Sequence, residues 1–229
     1  GLLLFLQSAL VITGGAVRLT GSGLGCPTWP ECVPGSYLPI EGQAEGQFHA
    51  WIEFGNRLLT FALFFAAVAT MIAVLRAGRR DLRFLAATQI LGILAQGVLG
   101  GITVLTDLNP LSVASHFLLS TILIGAATSL HSRRKAPQVR TSSTKVRISR
   151  VSLLHVNMTF IAIAIGTLVT GTGPHAGDVD SPRLDFSIVT ITRFHSLSVW
   201  LLMAITVYFY RSPDLRHETK NWLKIFFAI

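Results

Sequence analysis

The sequence predicts an all-α polytopic membrane protein built as two pseudo-repeated four-helix transmembrane bundles, the second incomplete over these residues. Three observations predict it. Of 229 residues, 51% are hydrophobic and 13% charged, against about 25% charged in soluble domains, and the mean hydropathy is +0.57. Uncharged runs recur at the length a bilayer requires, and the two halves carry similar motifs in the same order. A solvated globular domain is excluded.

The uncharged runs cover 1–17, 58–75, 84–106, 108–132, 151–177 and 194–210, and about 20 such residues cross a bilayer as helix. Six membrane-spanning helices follow. The first run continues into GGAVRLTGSG without an A-x-A-like site, so it reads as a span and not as a cleaved signal. A seventh begins near Trp222 and stops at Ile229, too short to cross, and the first lacks both an initiator Met and a charged flank. The chain therefore reads as a fragment at both ends. The segment RRKAPQVRTSSTKVRISR at 133–150 is polar, basic and rich in Ser and Thr, the composition of a linker. It divides an N-terminal bundle at 1–132 from a C-terminal bundle at 151–229.

A net charge of +8 and a pI near 10.3 would suggest nucleic acid in a soluble protein, but the charges sort by loop. The connections at 76–83, 133–150 and 211–224 hold fifteen of the nineteen Lys and Arg against Asp81, Asp214 and Glu218, a net of +12. The alternate connections hold Arg18, Arg183 and Arg193 against seven acids, a net of −4. Basic loops stay cytoplasmic. This places the N-terminus in the cytoplasm, the Cys26 and Cys32 loop outside it, and the excess charge in the service of topology. No nucleic-acid partner is expected.

Thr20-Gly21-Ser22-Gly23 follows the first span and Thr170-Gly171-Thr172-Gly173 the fifth. Each leads into an acid-rich outer loop, and the next span of each half carries a polar cluster, IEFGNRL around Asn56 and ITRFHSL around His195. Asn56 thus stands opposite His195 in the repeat. The glycine stretches are turns, not phosphate loops, since no strand precedes them and no GKS or GKT follows. Gly97, Gly100 and Gly101 read as small-residue contacts for close helix approach.

Of the seven histidines, His131, His155 and His217 fall at cytoplasmic ends, and His49 and His175 at outer boundaries, where a solvated reading suffices. His116 lies roughly 9 Å into the fourth helix and His195 roughly 12 Å into the sixth, at 1.5 Å per residue. Histidine inside a span is costly and asks for an explanation. Two at matching depth in a repeat suit haem iron in a dry bundle, with hydrogen bonding to a neighbouring helix the plainer alternative. Glu53 and Arg57, four apart, share a helix face and pair, either to fix packing or to put a carboxylate beside a reacting centre with Arg57 on it or on a haem propionate. Asn56, on nearly the same face, suits hydrogen bonding better than metal.

Cys26 and Cys32 are the only cysteines. Their outer position within GCPTWPEC favours a disulfide, with a reversible thiol pair as the alternative. Two cysteines alone make a weak metal site.

GAVRLTGSGLGCPTWPEC, WIEFGNRLLT, QGVLGGITVLTDLNP with His116 following, and VTGTGPHAGD occur in this order along the chain. Together they resemble the haem A synthases, over nearly the whole sequence. The resemblance implies an eight-helix membrane enzyme of a bacterial-type cell membrane, of which the last one to two helices are missing here. Its implied activity is oxidation of the C8 methyl of haem O to a formyl group by successive hydroxylations, giving haem A for terminal oxidase assembly. His116 is then an axial ligand of the substrate haem O, with Asn56 and Arg57 beside it, Glu53 the acidic catalytic residue at the reacting edge, and His195 one axial ligand of a haem B cofactor. Cys26 and Cys32 fit the family's outer-loop disulfide. The family's common pattern has a histidine where this sequence has Asn56, which leaves His116 as the protein ligand of the substrate haem.

The implied partners are the lipid bilayer, haem O, the haem O synthase that supplies it, an electron donor the sequence does not identify, and a second copy in a homo-oligomer. Two other classes compete. A b-type membrane cytochrome would transfer electrons without modifying haem, but Asn56 removes the bis-histidine ligation it needs. A repeat-built transporter would carry its polar groups near the midplane, whereas these lie in the outer half.

Overall fold

The computed structural model describes residues 1–136, 150–174, 177–211, 219–221 and 223–224. Residues 137–149 of the 133–150 linker, His175, His217 and the seventh-helix start at Trp222 lie outside the described residues. Among the described residues, six helices of membrane-crossing length and apolarity carry the fold: α1 (Leu2–Leu19), α2 (Gln47–Arg76), α3 (Arg83–Leu105), α4 (Pro110–Arg133), α5 (Arg150–Thr172) and α6 (Ile188–Tyr210). Among the described residues there is no strand, only an isolated bridge between Val33 and Ser36. The all-helical polytopic expectation holds.

The described residues fall into two compact units, one within 1–142 and 170–185 and the other within 143–169 and 186–229. In the first, α1 packs on α2, α2 on α3, α3 on α4 and α4 back on α1. Apolar packing concentrates in the half away from the cysteines. Leu3, Leu63, Ala66, Ala67 and Ile93 form one buried cluster, and Val74, Leu82, Ala86 and Leu130 a second. Within this half Gln7 Nε2 donates to Gln89 Oε1 at 2.9 Å, and Gln89 Nε2 to Leu123 O at 3.1 Å. Two amide side chains and one backbone carbonyl thereby link three helices where no water competes.

Local chemistry sets the helix ends. The uncharged-run criterion starts the second span at residue 58, yet α2 begins at Gln47, because Glu53 and Arg57 neutralise each other within it. Asn109 caps α4 by accepting from Leu111 N at 3.0 Å, with Pro110 at the first helical position, where its missing N–H costs nothing. The turn before it holds Asp107 and Leu108 at φ 52° and 59°, a left-handed conformation costing about 1–2 kcal/mol per non-glycine residue. It aims Leu108 under the loops of the disulfide end, where a Cβ on Gly23 would lie 2.7 Å from Leu108 Cδ1. At the other end Arg79 pairs with Asp81 at 2.9 Å and donates to the carbonyls of Arg133 and Arg134.

The glycines of α3 divide differently from the sequence expectation. Gly97 has open space around it among the described residues, Gly100 faces the His116 ring of α4, and Gly101 lies against the Trp29 indole of the disulfide loop. Of the three, only Gly100 accommodates a neighbouring helix. In the second unit, α6 is capped by Ser187, which accepts from Thr190 N. There His195 Nδ1 lies 3.1 Å from Ala162 O on α5, and His155 Nε2 lies 2.9 Å from Thr206 Oγ1.

Candidate functional site

The disulfide end of the first bundle is built on α2. Glu53 is 6% exposed, and both its carboxylate oxygens are engaged. Oε2 accepts the Cys26 amide at 2.6 Å. Oε1 accepts Arg57 Nε at 3.1 Å and Nη2 at 2.6 Å. Arg57 then donates from Nη2 to Cys26 O at 2.8 Å and from Nη1 to Thr28 O at 3.1 Å and Glu31 O at 3.2 Å. All five guanidinium N–H groups are thus used inside the protein, and its carbon lies 5.3 Å from the centroid of the Trp29 ring. The pair expected from the spacing is present, and it holds a loop.

That loop is the Cys26 to Cys32 segment. The two cysteines form a disulfide with S–S 2.05 Å, and both are fully buried. Gln43 Nε2 donates to Gly25 O at 2.6 Å. Gly25 itself leaves no room for a Cβ, which would meet the backbone of His49. His49, expected to face solvent, is half-buried with Nδ1 2.8 Å from the buried Ser22 Oγ, which also lies 2.7 Å from Thr20 Oγ1.

Asn56 sits one turn deeper than Glu53 on α2 and accepts from Thr13 Oγ1 of α1 at 2.7 Å. His116 comes from α4. Its ring lies against α3 at Gly100, where a Cβ would stand 3.4 Å from Cε1. His116 Nδ1 is buried and has no hydrogen-bond partner among the described residues. Beside it, Gln96 of α3 donates from Nε2 to His116 O at 3.0 Å and to Ser120 Oγ at 2.7 Å, while its Oε1 is also buried without a partner among the described residues. Sequence reasoning singled out His116 but passed over Gln96, whose signal was an amide in an apolar run four residues before Gly100.

In the second unit His195 is half-buried. A carbonyl oxygen can only accept, so the contact with Ala162 O puts the ring proton on Nδ1 and leaves Nε2 as the lone-pair nitrogen. This is the arrangement a metal-ligating imidazole adopts. Gly166 makes the room, since a Cβ there would be 3.0 Å from His195 Cε1. Both histidines therefore fit a haem-ligating role, one with its outer hydrogen bond made and one with a buried ring nitrogen still to be satisfied.

Fold and site together define a multi-pass helical membrane protein whose first bundle carries a disulfide-closed loop, an acid–arginine pair and a histidine set into a glycine-lined seam. The family profile described as cytochrome oxidase assembly protein, COX15-CtaA, matches residues 1–177, and the chain belongs to that family. Similar proteins include one named heme A synthase from Geobacillus kaustophilus, 32% identical over 123 residues, 53% of this chain and 37% of that protein. Another, from Shewanella oneidensis, is 27% identical over 174 residues, 71% of this chain and 51% of its own. A third, from Sinorhizobium fredii, is 24% identical and covers 86% of this chain and 62% of the relative. The chain thus spans between about a third and two thirds of the length of these relatives. No solved structure matches it.

Proposed function

We propose that this protein is a haem A synthase, which oxidises the C8 methyl of haem O to a formyl group through successive hydroxylations. The observation that carries the reading is His116, a histidine inside an apolar bundle with a buried ring nitrogen that has no partner among the described residues and a glycine opposite its ring. An imidazole so placed is costly unless a ligand completes it. The haem iron supplies the redox chemistry; the chain's own residues bind and orient.

In this reading His116 would hold the iron of the substrate haem O. Asn56, tied to Thr13, would orient the bound haem O or a water beside it by hydrogen bonding. Glu53 is the acidic residue beside the reacting methyl, and the Cys26 amide and Arg57 fix where its carboxylate stands. Arg57 holds Glu53 and the loop, since its five N–H groups already have partners; that weighs against a haem propionate. His195 would hold the iron of haem B in the second unit, a role supported by its Nδ1 hydrogen bond. The disulfide loop lies outside the cytoplasm and the 76–83 connection within it, supported by the distribution of Lys and Arg. Haem O reaches the site from the haem O synthase through the bilayer.

The test is to express the complete protein with a haem O supply and identify the extracted haems by chromatography with mass detection. Haem A or its hydroxymethyl precursor is expected, and lost in His116→Ala. Haem B alone, with haem O available, overturns the enzyme reading. Reporter fusions in the disulfide loop and the 76–83 connection check the orientation.

A further inference from the structure

The two candidate haem ligands differ in one respect. His195 Nδ1 is paired with a carbonyl, whereas His116 Nδ1 is buried with no partner among the described residues. An imidazole that binds iron through Nε2 carries a proton on Nδ1, and that proton is nearly always donated to an acceptor, which orients the ring and raises its basicity.

An acceptor stands on the facing helix. Gln96 is 7% exposed, and its amide orientation is fixed by its neighbours. Nε2 faces His116 O, which can only accept, and Ser120 Oγ, whose own proton is donated to His116 O at 3.1 Å. Flipping the amide would set oxygen against oxygen, so Oε1 points elsewhere, buried and without a partner among the described residues. Gln96 and Gly100 are four apart and share one face of α3, and the Cε1 to Nδ1 edge of His116 lies against Gly100. A buried orphan donor and a buried orphan acceptor thus share one helix seam, on residues already joined through the His116 carbonyl.

We propose that Gln96 is the positioning residue of His116, its Oε1 accepting the Nδ1–H, directly or through one water, when Nε2 holds haem iron. The proposal rests on the reading of His116 as the substrate-haem ligand. Gln96 sets the ring's rotation and tautomer and so the strength of the iron–imidazole bond, while the chemistry stays at the haem.

The experiment uses the complete protein loaded with haem O and two readouts, the rate of haem O loss to excess apomyoglobin and the reduction potential of the bound haem O. Gln96→Leu is expected to lose haem O about tenfold or more faster and to shift the potential upward, since a less basic imidazole stabilises the ferric state less. Gln96→Glu, which restores an acceptor, should shift the potential downward. Ser120→Ala removes a partner from the nitrogen end of the amide without touching Oε1, and leaves both readouts near wild type. A purely structural role would move both Gln96 variants in the same direction, and that result, or an unchanged Gln96→Leu, overturns the proposal. If His116→Ala retains haem O as wild type does, the ligand reading itself fails, whatever the Gln96 variants do.

Discussion

Arg57 donates twice to Oε1 of Glu53, from Nε at 3.1 Å and Nη2 at 2.6 Å, and the rest of its guanidinium ends on loop carbonyls 26 to 31 residues away in sequence. One side chain thereby links α2 to the disulfide loop, and Glu53 links it back through the Cys26 amide. Neither residue can be replaced without freeing the other's partners. Breaking a buried ion pair from one side leaves an uncompensated charge, which costs about 3–5 kcal/mol. Arg57→Leu should therefore lower the unfolding midpoint in detergent by the largest margin of any single change at this end. Arg57→Lys should recover only part of it, because an ammonium has three donors and no planar fork. A variant as stable as wild type would show that the loop is held elsewhere.

The disulfide closes a small ring, with the cysteines six residues apart. In the chain-entropy account a ring of this size contributes about 2 kcal/mol, less than the Arg57 network around it. Wild-type protein should therefore unfold at a modestly lower temperature with reductant than without. Cys32→Ser should show the lower midpoint in both conditions, with no further response to reductant. If reductant lowers the variant's midpoint as much as the wild type's, the effect does not come from this bond.

The parts legible in the sequence share one property: their partners are close along the chain or repeat with a fixed period. Charge-free runs located the helices, four-residue spacing paired Glu53 with Arg57, and two cysteines in one short loop pointed to a bond between them. The contacts that escaped are long-range, and most of them end on backbone. Nothing in the spelling of the sequence says that Arg57 reaches Thr28 O and Glu31 O, that His195 meets Ala162 O, or that Gln7 and Gln89, 82 residues apart, face each other. Polar amides inside apolar runs were the available signal, since a membrane interior leaves them no water to bond. The glycines of α3 misled for the same reason, because a small residue permits close approach without saying what approaches.

Two of those glycines give a paired test. Gly101 abuts the Trp29 indole, and a Cβ there collides with the ring, whereas Gly97, one turn earlier, has open space. Gly101→Ala should displace Trp29, shift tryptophan emission and destabilise by about 1–3 kcal/mol, the usual cost of overpacking. Gly97→Ala should leave the emission in place and gain up to about 1 kcal/mol from helix propensity. Equal effects from the two substitutions would show that Trp29 does not rest on α3.

The amide chain through Gln7, Gln89 and Leu123 O tests what holds the apolar half together. Gln89 is fully buried, and it accepts from Gln7 and donates to the α4 carbonyl. Interhelical hydrogen bonds in membranes average about 0.6 kcal/mol and reach about 1.7, because the separated helices find other partners. Gln89→Leu breaks two such bonds and strands the Gln7 amide, so a loss of about 1–2 kcal/mol is expected. Gln7→Leu breaks only the first and should cost less. The double variant removes donor and acceptor of that bond together, so its cost should fall short of the sum of the singles, the sign of direct coupling. Thermal unfolding of the four proteins in one detergent completes the cycle. Strict additivity would mean that the two glutamines act independently and that apolar packing around Leu63 and Ile93 alone sets the register of α1 against α3.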